Sequence, residues 1–335
     1  MWTDLIDEAT LNWLLEKNNP SVRYLTQTKL LGLGSSHPEV VSTKMEIGSV
    51  GLVPKILNQQ MPGGFWGEER SFYHDKYKGT VWQLLLLAEM CADPEDERII
   101  KACNFILDAS QDSKEFGFSV HYSSVEKGGR QSEVIPCLTG NMVFSLIKLG
   151  FLADERVQKA IDWICRYQRC DDGVSFAPAQ GPYGRFESCW GKHTCFMGVA
   201  KALKALSAIP VEERSDAVEH KIQELVEFLL IHHIYHRSHD LERVSRPGWL
   251  KFGFPLMYQT DVLELLEMLT ELGCRDERMQ DAVQLVRSKQ QADNRWTLEN
   301  TFNGRMLHQV EVKGAPSKWI TFRAVNALSN FQKQP

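Results

Sequence analysis

Tyr73, His74 and Asp75 stand together just before a Leu-rich run. An aromatic ring, an imidazole and a carboxyl at one place suit anion binding or proton transfer, because burial and neighbouring charge tune the last two toward neutral pH. The plainer alternative is a solvated loop whose tyrosines pack on a rim. Asp261 heads another Leu-rich run, where an Asp either faces a pocket or serves only as an N-cap. The segments leading into such runs carry Phe252, Phe254 and Tyr258; Lys318 and Trp319; and Arg185, Phe186 and Trp190. Aromatics converging in this way form a large apolar pocket whose ring faces stabilise cations, unless they are simply core. We expect Tyr73, Trp190, Phe254, Tyr258 and Trp319 to bind substrate, with Asp75 and Asp261 as acid–base groups. His232, His233, His236 and His239, followed by Asp240, form a dense cluster. The i,i+4 pair within it suits a metal, but a helix-end capping or loop-anchoring role is the stronger expectation. The chain has no Ser-His-Asp order, phosphate-cradling glycine loop or dinucleotide fingerprint, so common hydrolase and nucleotide chemistries have no support.

These residues are positioned by a repeat. Asp96-Glu97-Arg98, Asp154-Glu155-Arg156 and Asp276-Glu277-Arg278 recur, with a degenerate copy at Glu212-Glu213-Arg214; the arginines are 58, 58 and 64 residues apart. Acids at a helix start favour its positive end, which gives the motif a capping role. Each of the helices so opened closes with Gln, a turn and an aromatic: Gln59 with Trp66, Gln111 with Phe118, Gln168 with Phe176 and Gln290 with Trp296. A fifth copy is missing near residue 235. Between turn and cap lies a second, Leu-rich helix, expected over residues 80–91, 138–149, 194–206, 261–272 and 321–331. The 80–91 segment is apolar on nearly every side, as in a helix buried all round. A further pair, near residues 5–16 and 22–31, precedes the repeats. Helix pairs of ~60 residues, repeated five or six times, build either an open solenoid or a closed toroid. A closed ring leaves no apolar end exposed, so the expectation is an all-α (α/α)6 barrel forming one domain over residues 1–335.

Composition is compatible with that. The chain has 335 residues, 43% apolar and 24% charged, an ordinary globular balance. Its net charge of −5 argues against a nucleic-acid partner. No apolar run approaches the ~18 residues of a membrane span, and residues 1–8 lack a basic flank with an apolar core, so a cytoplasmic protein is expected. The eight cysteines should then be thiols, and no Cys-x-x-Cys pair is present.

The Gln, Gly and aromatic turn resembles the QW repeat of squalene–hopene and oxidosqualene cyclases, whose helix-pair unit also builds the β subunit of protein prenyltransferases. The resemblance runs from about residue 20 to 330, and points to a prokaryotic single-barrel branch of squalene-cyclase-like proteins. Lys251-Phe252-Gly253-Phe254-Pro255 and residues 299–305 are similar to that branch. The Asp-x-Asp-Asp acid of class II cyclases is absent, and Asp171-Asp172-Gly173 is only a turn, so cyclization by that acid is not expected. Prenyltransferase β subunits hold zinc with an Asp, a Cys and a His. His193 resembles that His and Cys137 that Cys, while Ile135 replaces the Asp and Cys189, four residues before His193, could substitute. The resemblance thus implies zinc on Cys137, Cys189 and His193, with His193 also catalytic; the alternative is that these cysteines merely pack and His193 caps. The function expected is an enzyme acting on an apolar, isoprenoid-like small molecule by acid–base or zinc-assisted chemistry. A non-catalytic ligand carrier and a protein-interaction scaffold are the alternatives. The functional centre is expected at the barrel mouth, with His193, Cys189, Asp261 and Asp75 as its polar core.

Overall fold

A computed structural model describes residues 2–333. It is predominantly α-helical. The first pair is α1 (Glu8–Leu14) and α2 (Pro20–Leu25), the latter running on as a π-helical segment, Thr26–Leu30. Then come α3 (Pro38–Ile47), α4 (Val53–Leu57), α5 (Thr80–Glu89), α6 (Glu97–Ser110) and α7 (Pro136–Lys148). The second half holds α8 (Glu155–Tyr167), α9 (Phe196–Ser207), α10 (Asp216–Ile231), α11 (Val262–Glu271), α12 (Gln280–Ser288) and α13 (Lys318–Gln332). Two short antiparallel hairpins, 122–129 and 236–244, decorate the loops.

Burial separates the helices into two layers. Along α5 every residue from Thr80 to Ala88 is buried, and α7, α9, α11 and α13 are nearly as enclosed. By contrast α6, α8 and α12 bury one stripe and expose the other, as helices on an outer layer must. The enclosed helices touch in succession, α5 on α7, α7 on α9, α9 on α11 and α11 on α13. The last then packs on α1 and α2, and Ser21 Oγ of α2 donates to the Met90 carbonyl at the end of α5, 2.8 Å away. Buried apolar side chains from Ile6 to Leu328 form one continuous core.

The repeated motifs do repeated work. Asp96, Asp154 and Asp276 each accept a hydrogen bond from the backbone N–H of the Arg two residues on and pair with its guanidinium. The degenerate copy does not cap; Ser215 caps α10 instead. At the closing turns the Gln amides reach to the start of the next outer helix, Gln60 to Arg98 O at 2.8 Å and Gln111 to Arg156 O at 2.8 Å, while Gln290 reaches Leu5 O, before α1, at 2.6 Å. The first of these is Gln60, not the Gln59 of the sequence reading. The turn aromatics Trp66, Phe118 and Trp296 are fully buried. Their backbone N–H groups donate to Thr80, Thr139 and Thr321, one hydroxyl near the start of each inner helix, at 3.0–3.1 Å. The fourth copy breaks: Phe176 is 68% exposed, and Trp190 instead fills the space against Trp163 and Tyr183.

Candidate functional site

Segments that lead into α5, α11 and α13 meet. Tyr77 packs on Trp82 and Phe302, and its hydroxyl accepts from Gln259 Nε2 at 3.3 Å. Lys76 lies 4.8 Å from the ring centres of both Tyr73 and Tyr258. Asn141 of α7 donates to the Met257 carbonyl at 3.0 Å, which ties the lead-in of α11 to α7. The expected aromatic cluster therefore exists in part, but as packed side chains. Tyr73, Phe254 and Trp319 are buried, with Phe254 and Trp319 stacked at 4.0 Å between ring centres. Trp190 lies elsewhere, in the Trp163–Tyr183 cluster.

Beside Tyr258 is a cavity of about 470 Å³. Met197, Trp249, Leu256 and Tyr258 give it an apolar wall, while Arg246, Lys251, Gln259, Asn300 and Asp261 supply polarity. Asp261 is 2% exposed and is the N-cap of α11. Its two carboxylate oxygens accept from the backbone N–H groups of Glu264 and Gly253, each at 2.8 Å. Burial pushes its carboxyl up to about 6; Arg323 and the two N–H donors oppose that shift without cancelling it. Asp261 thus caps the helix and lines the cavity.

Between the inner helices α5, α9, α11 and α13 the interior carries charge rather than the expected apolar lining. Lys201 and Glu264, both fully buried, pair at 2.7 Å, and Glu264 also accepts from Lys204 at 2.8 Å. Lys204 in turn pairs with Glu89 of α5. Arg323 donates to Glu267 at 2.6 Å, and Asn326 bridges Glu267 and Glu271. Burial alone would raise the Glu264 carboxyl, but Lys201 and Lys204 outweigh it and hold Glu264 well below the usual carboxylate range. Glu267 goes the other way, raised by burial with Glu271 adding to it despite Arg323. Asp261, Glu264, Glu267 and Glu271 recur at helical spacing and form one acidic stripe along α11. At the far end, a cavity of about 200 Å³ is reached by side chains of Glu89, Phe144, Lys204, Glu267 and Arg323.

This network was missed by the sequence reading, although a signal was available. Lys201-x-x-Lys204 and Glu264-x-x-Glu267 interrupt otherwise apolar inner helices at a spacing that puts each pair on one face. Charges buried there had to be paired with a neighbouring helix.

The four residues expected to form the polar core are not gathered. Of the four, only Asp261 lines the 470 Å³ cavity. Asp75 is half-buried in the turn before α5, where its carbonyl accepts from Lys78 and Gly79. His193 is exposed on a loop, its Nδ1 3.3 Å from the Val174 carbonyl. Cys189 is half-buried in a π-helical turn, Glu187–Gly191, with its thiol pushed up to about 12 by burial. Cys137 is buried at the start of α7, its thiol pushed well up by burial, with Cys195 and Cys189 adding to the shift. The donors for zinc do not fit together: among the described residues no group of three or more His, Cys, Asp or Glu side chains could hold a metal ion. Inner-helix starts do bring the thiols close, but His193 precedes the start of α9 and turns outward with its loop. The histidine cluster is a helix-end anchor, as expected: His232 caps the Phe228 carbonyl at 2.7 Å and faces Asp172, while His233 and His236 face Asp281. No described helix is long and apolar enough to cross a membrane.

No protein-family profile matches the chain, and no curated protein does. Among solved structures it is similar to an apo form of the type II terpene cyclase MstE from Scytonema. Identity is 15% over 93% of this chain and 87% of that one, with a TM-score of 0.44. An unsaturated glucuronyl hydrolase specific for heparin shows 9% identity over 94% of this chain and 85% of that one, with a TM-score of 0.48. A protein from Actinoplanes shows 12% identity over 94% and 90%, with a TM-score of 0.44. A terpene cyclase is thus among the solved structures to which this backbone is similar.

Proposed function

We propose that the chain is a cytoplasmic enzyme, one closed (α/α)6 domain, that performs acid–base chemistry with Asp261 on an apolar, isoprenoid-like small molecule. The observation that carries the reading is a buried carboxyl, raised to about 6, in the wall of a 470 Å³ cavity with Trp249, Leu256, Tyr258 and Met197. Ring closure is supported by α13 packing on α2 and by Gln290 binding Leu5 as Gln111 binds Arg156. A carboxylic acid of this strength is too weak to protonate an isolated alkene. It suits proton transfer at a hydroxyl or beside a carbonyl, which general acid–base catalysis accelerates by ~10²–10⁴-fold. The reaction class is therefore isomerase or lyase. The purified protein is incubated in D₂O with farnesal and citral, and deuterium incorporation is followed by mass spectrometry. Incorporation that falls at least ~100-fold in Asp261→Asn supports the reading. Equal incorporation by wild type and variant, with both folded, refutes it.

A further inference from the structure

The 470 Å³ cavity has a charge asymmetry that the proposed acid–base role does not use. Arg246 and Lys251 flank the 3-10 turn Pro247–Leu250, whose Trp249 is buried in the cavity wall. Both side chains belong to exposed residues that line the cavity. Some basic side chains nearby do have acidic partners, Arg243 with Asp240 and Lys289 with Glu299. Among the described residues, no carboxylate pairs with Arg246 or Lys251. The only acid lining the cavity is Asp261, whose oxygens are taken by backbone N–H groups. The local charge is therefore net positive at the rim and apolar along one wall. A guanidinium and an ammonium that line one cavity without a carboxylate partner offer charge-assisted donors to an anion.

We propose that the ligand of this cavity is an amphiphilic monoanion, its carboxylate or phosphate-monoester head held by Arg246 and Lys251 and its apolar body laid against Trp249, Leu256 and Tyr258. The assignment deepens the acid–base reading of the same site and rests on it for the identity of the cavity. Arg246 and Lys251 select the ligand; Asp261 acts on it. Because the head would sit at the rim and Asp261 is buried in the wall, the reacting atom lies part-way along the apolar body.

Calorimetric binding of four probes of one shape tests this: farnesoate, farnesyl monophosphate, farnesol and farnesylamine. Binding of either anion about tenfold or more tighter than farnesol, at low ionic strength, is the expected result, since one charge-assisted contact supplies that much. The preference should shrink on raising salt. In the double variant Arg246→Ala/Lys251→Ala, which removes only exposed side chains, the ratio of anion to alcohol affinity should fall toward unity. A monophosphate that binds while farnesoate does not would assign the head as phosphate, and the reverse as carboxylate. Farnesol or farnesylamine binding as tightly as the anions, a preference that survives in the double variant, or no binding by any probe would each overturn the proposal. Deuterium exchange into neutral farnesal by the wild-type protein is read separately. Exchange without anion preference sinks this inference alone, and anion preference without Asp261-dependent exchange sinks the acid–base reading alone.

Discussion

Lys201→Met isolates the energetics of the buried ion network. The Lys201 ammonium is fully buried and lies 2.9 and 2.7 Å from the two oxygens of Glu264, which is equally buried. Methionine keeps most of the volume and removes the charge, leaving Glu264 with Lys204 as its remaining close partner. Breaking a buried pair from one side strands the other charge and costs ~3–5 kcal/mol, whereas replacing both by apolar residues of similar size is often neutral. Lys201→Met should therefore lower stability by about 3–5 kcal/mol in urea unfolding, and Lys201→Met/Glu264→Leu should recover at least half of that loss. The acid limb should change as well. Glu264 has a folded pKa below its unfolded value of ~4.3, so its contribution is present above that pH and is lost as pH falls below it. With Lys201 gone that contribution shrinks, and the slope of stability against pH below about 5 should flatten. A single variant within ~1 kcal/mol of wild type, or a double variant as unstable as the summed singles, would falsify the account of a mutually dependent buried pair.

Trp66→Ala removes a fully buried indole that donates to Ile56 O at 2.8 Å, and should cost ~3–5 kcal/mol, while Lys114→Ala on the exposed surface should change stability by less than ~0.5 kcal/mol; equal denaturant midpoints would contradict the anchoring role of the turn aromatics. Asp261 has a folded value of about 6 against an unfolded ~3.9, so the folded state keeps its proton longer and stability falls as pH rises from about 4 through 6, by at most ~3 kcal/mol. A carboxyl carbon resonance titrating near 4 would refute that environment. Gln290→Ala deletes the bond to Leu5 O that ties the last repeat to the first, and should cost ~1–2 kcal/mol and speed amide exchange in α1; unchanged exchange would argue against closure there. Gly140 lets α7 approach α9, because a Cβ would come within 2.5 Å of the Lys201 backbone, and Gly140→Ala should destabilise by ~1–3 kcal/mol in the same unfolding assay.

What was legible in the chain was local and repeated. Asp-Glu-Arg caps, Gln-to-aromatic turns and Leu-rich helices each satisfy their own neighbourhood, so their spacing alone identified outer and inner helices to within a few residues. Asp96, Asp154 and Asp276 cap where expected, and Trp66, Phe118 and Trp296 are buried where expected. Asp261 as an N-cap followed from its place at an inner-helix start. The failures were of another kind. Phe176 occupied the right register and yet lies exposed, because Trp190 reaches its place from a loop 14 residues on. His193 and Cys189 share a spacing compatible with one face of a helix, but α9 begins only at Phe196, and the loop before it turns His193 to solvent. Above all, whether Lys201 meets Glu264 depends on how α9 faces α11, residues 63 positions apart in the chain. Helical periodicity says which side of its own helix a charge occupies; only the packing of one helix against another decides which opposite charge it meets, and a buried charge is tolerable only once that partner is in place.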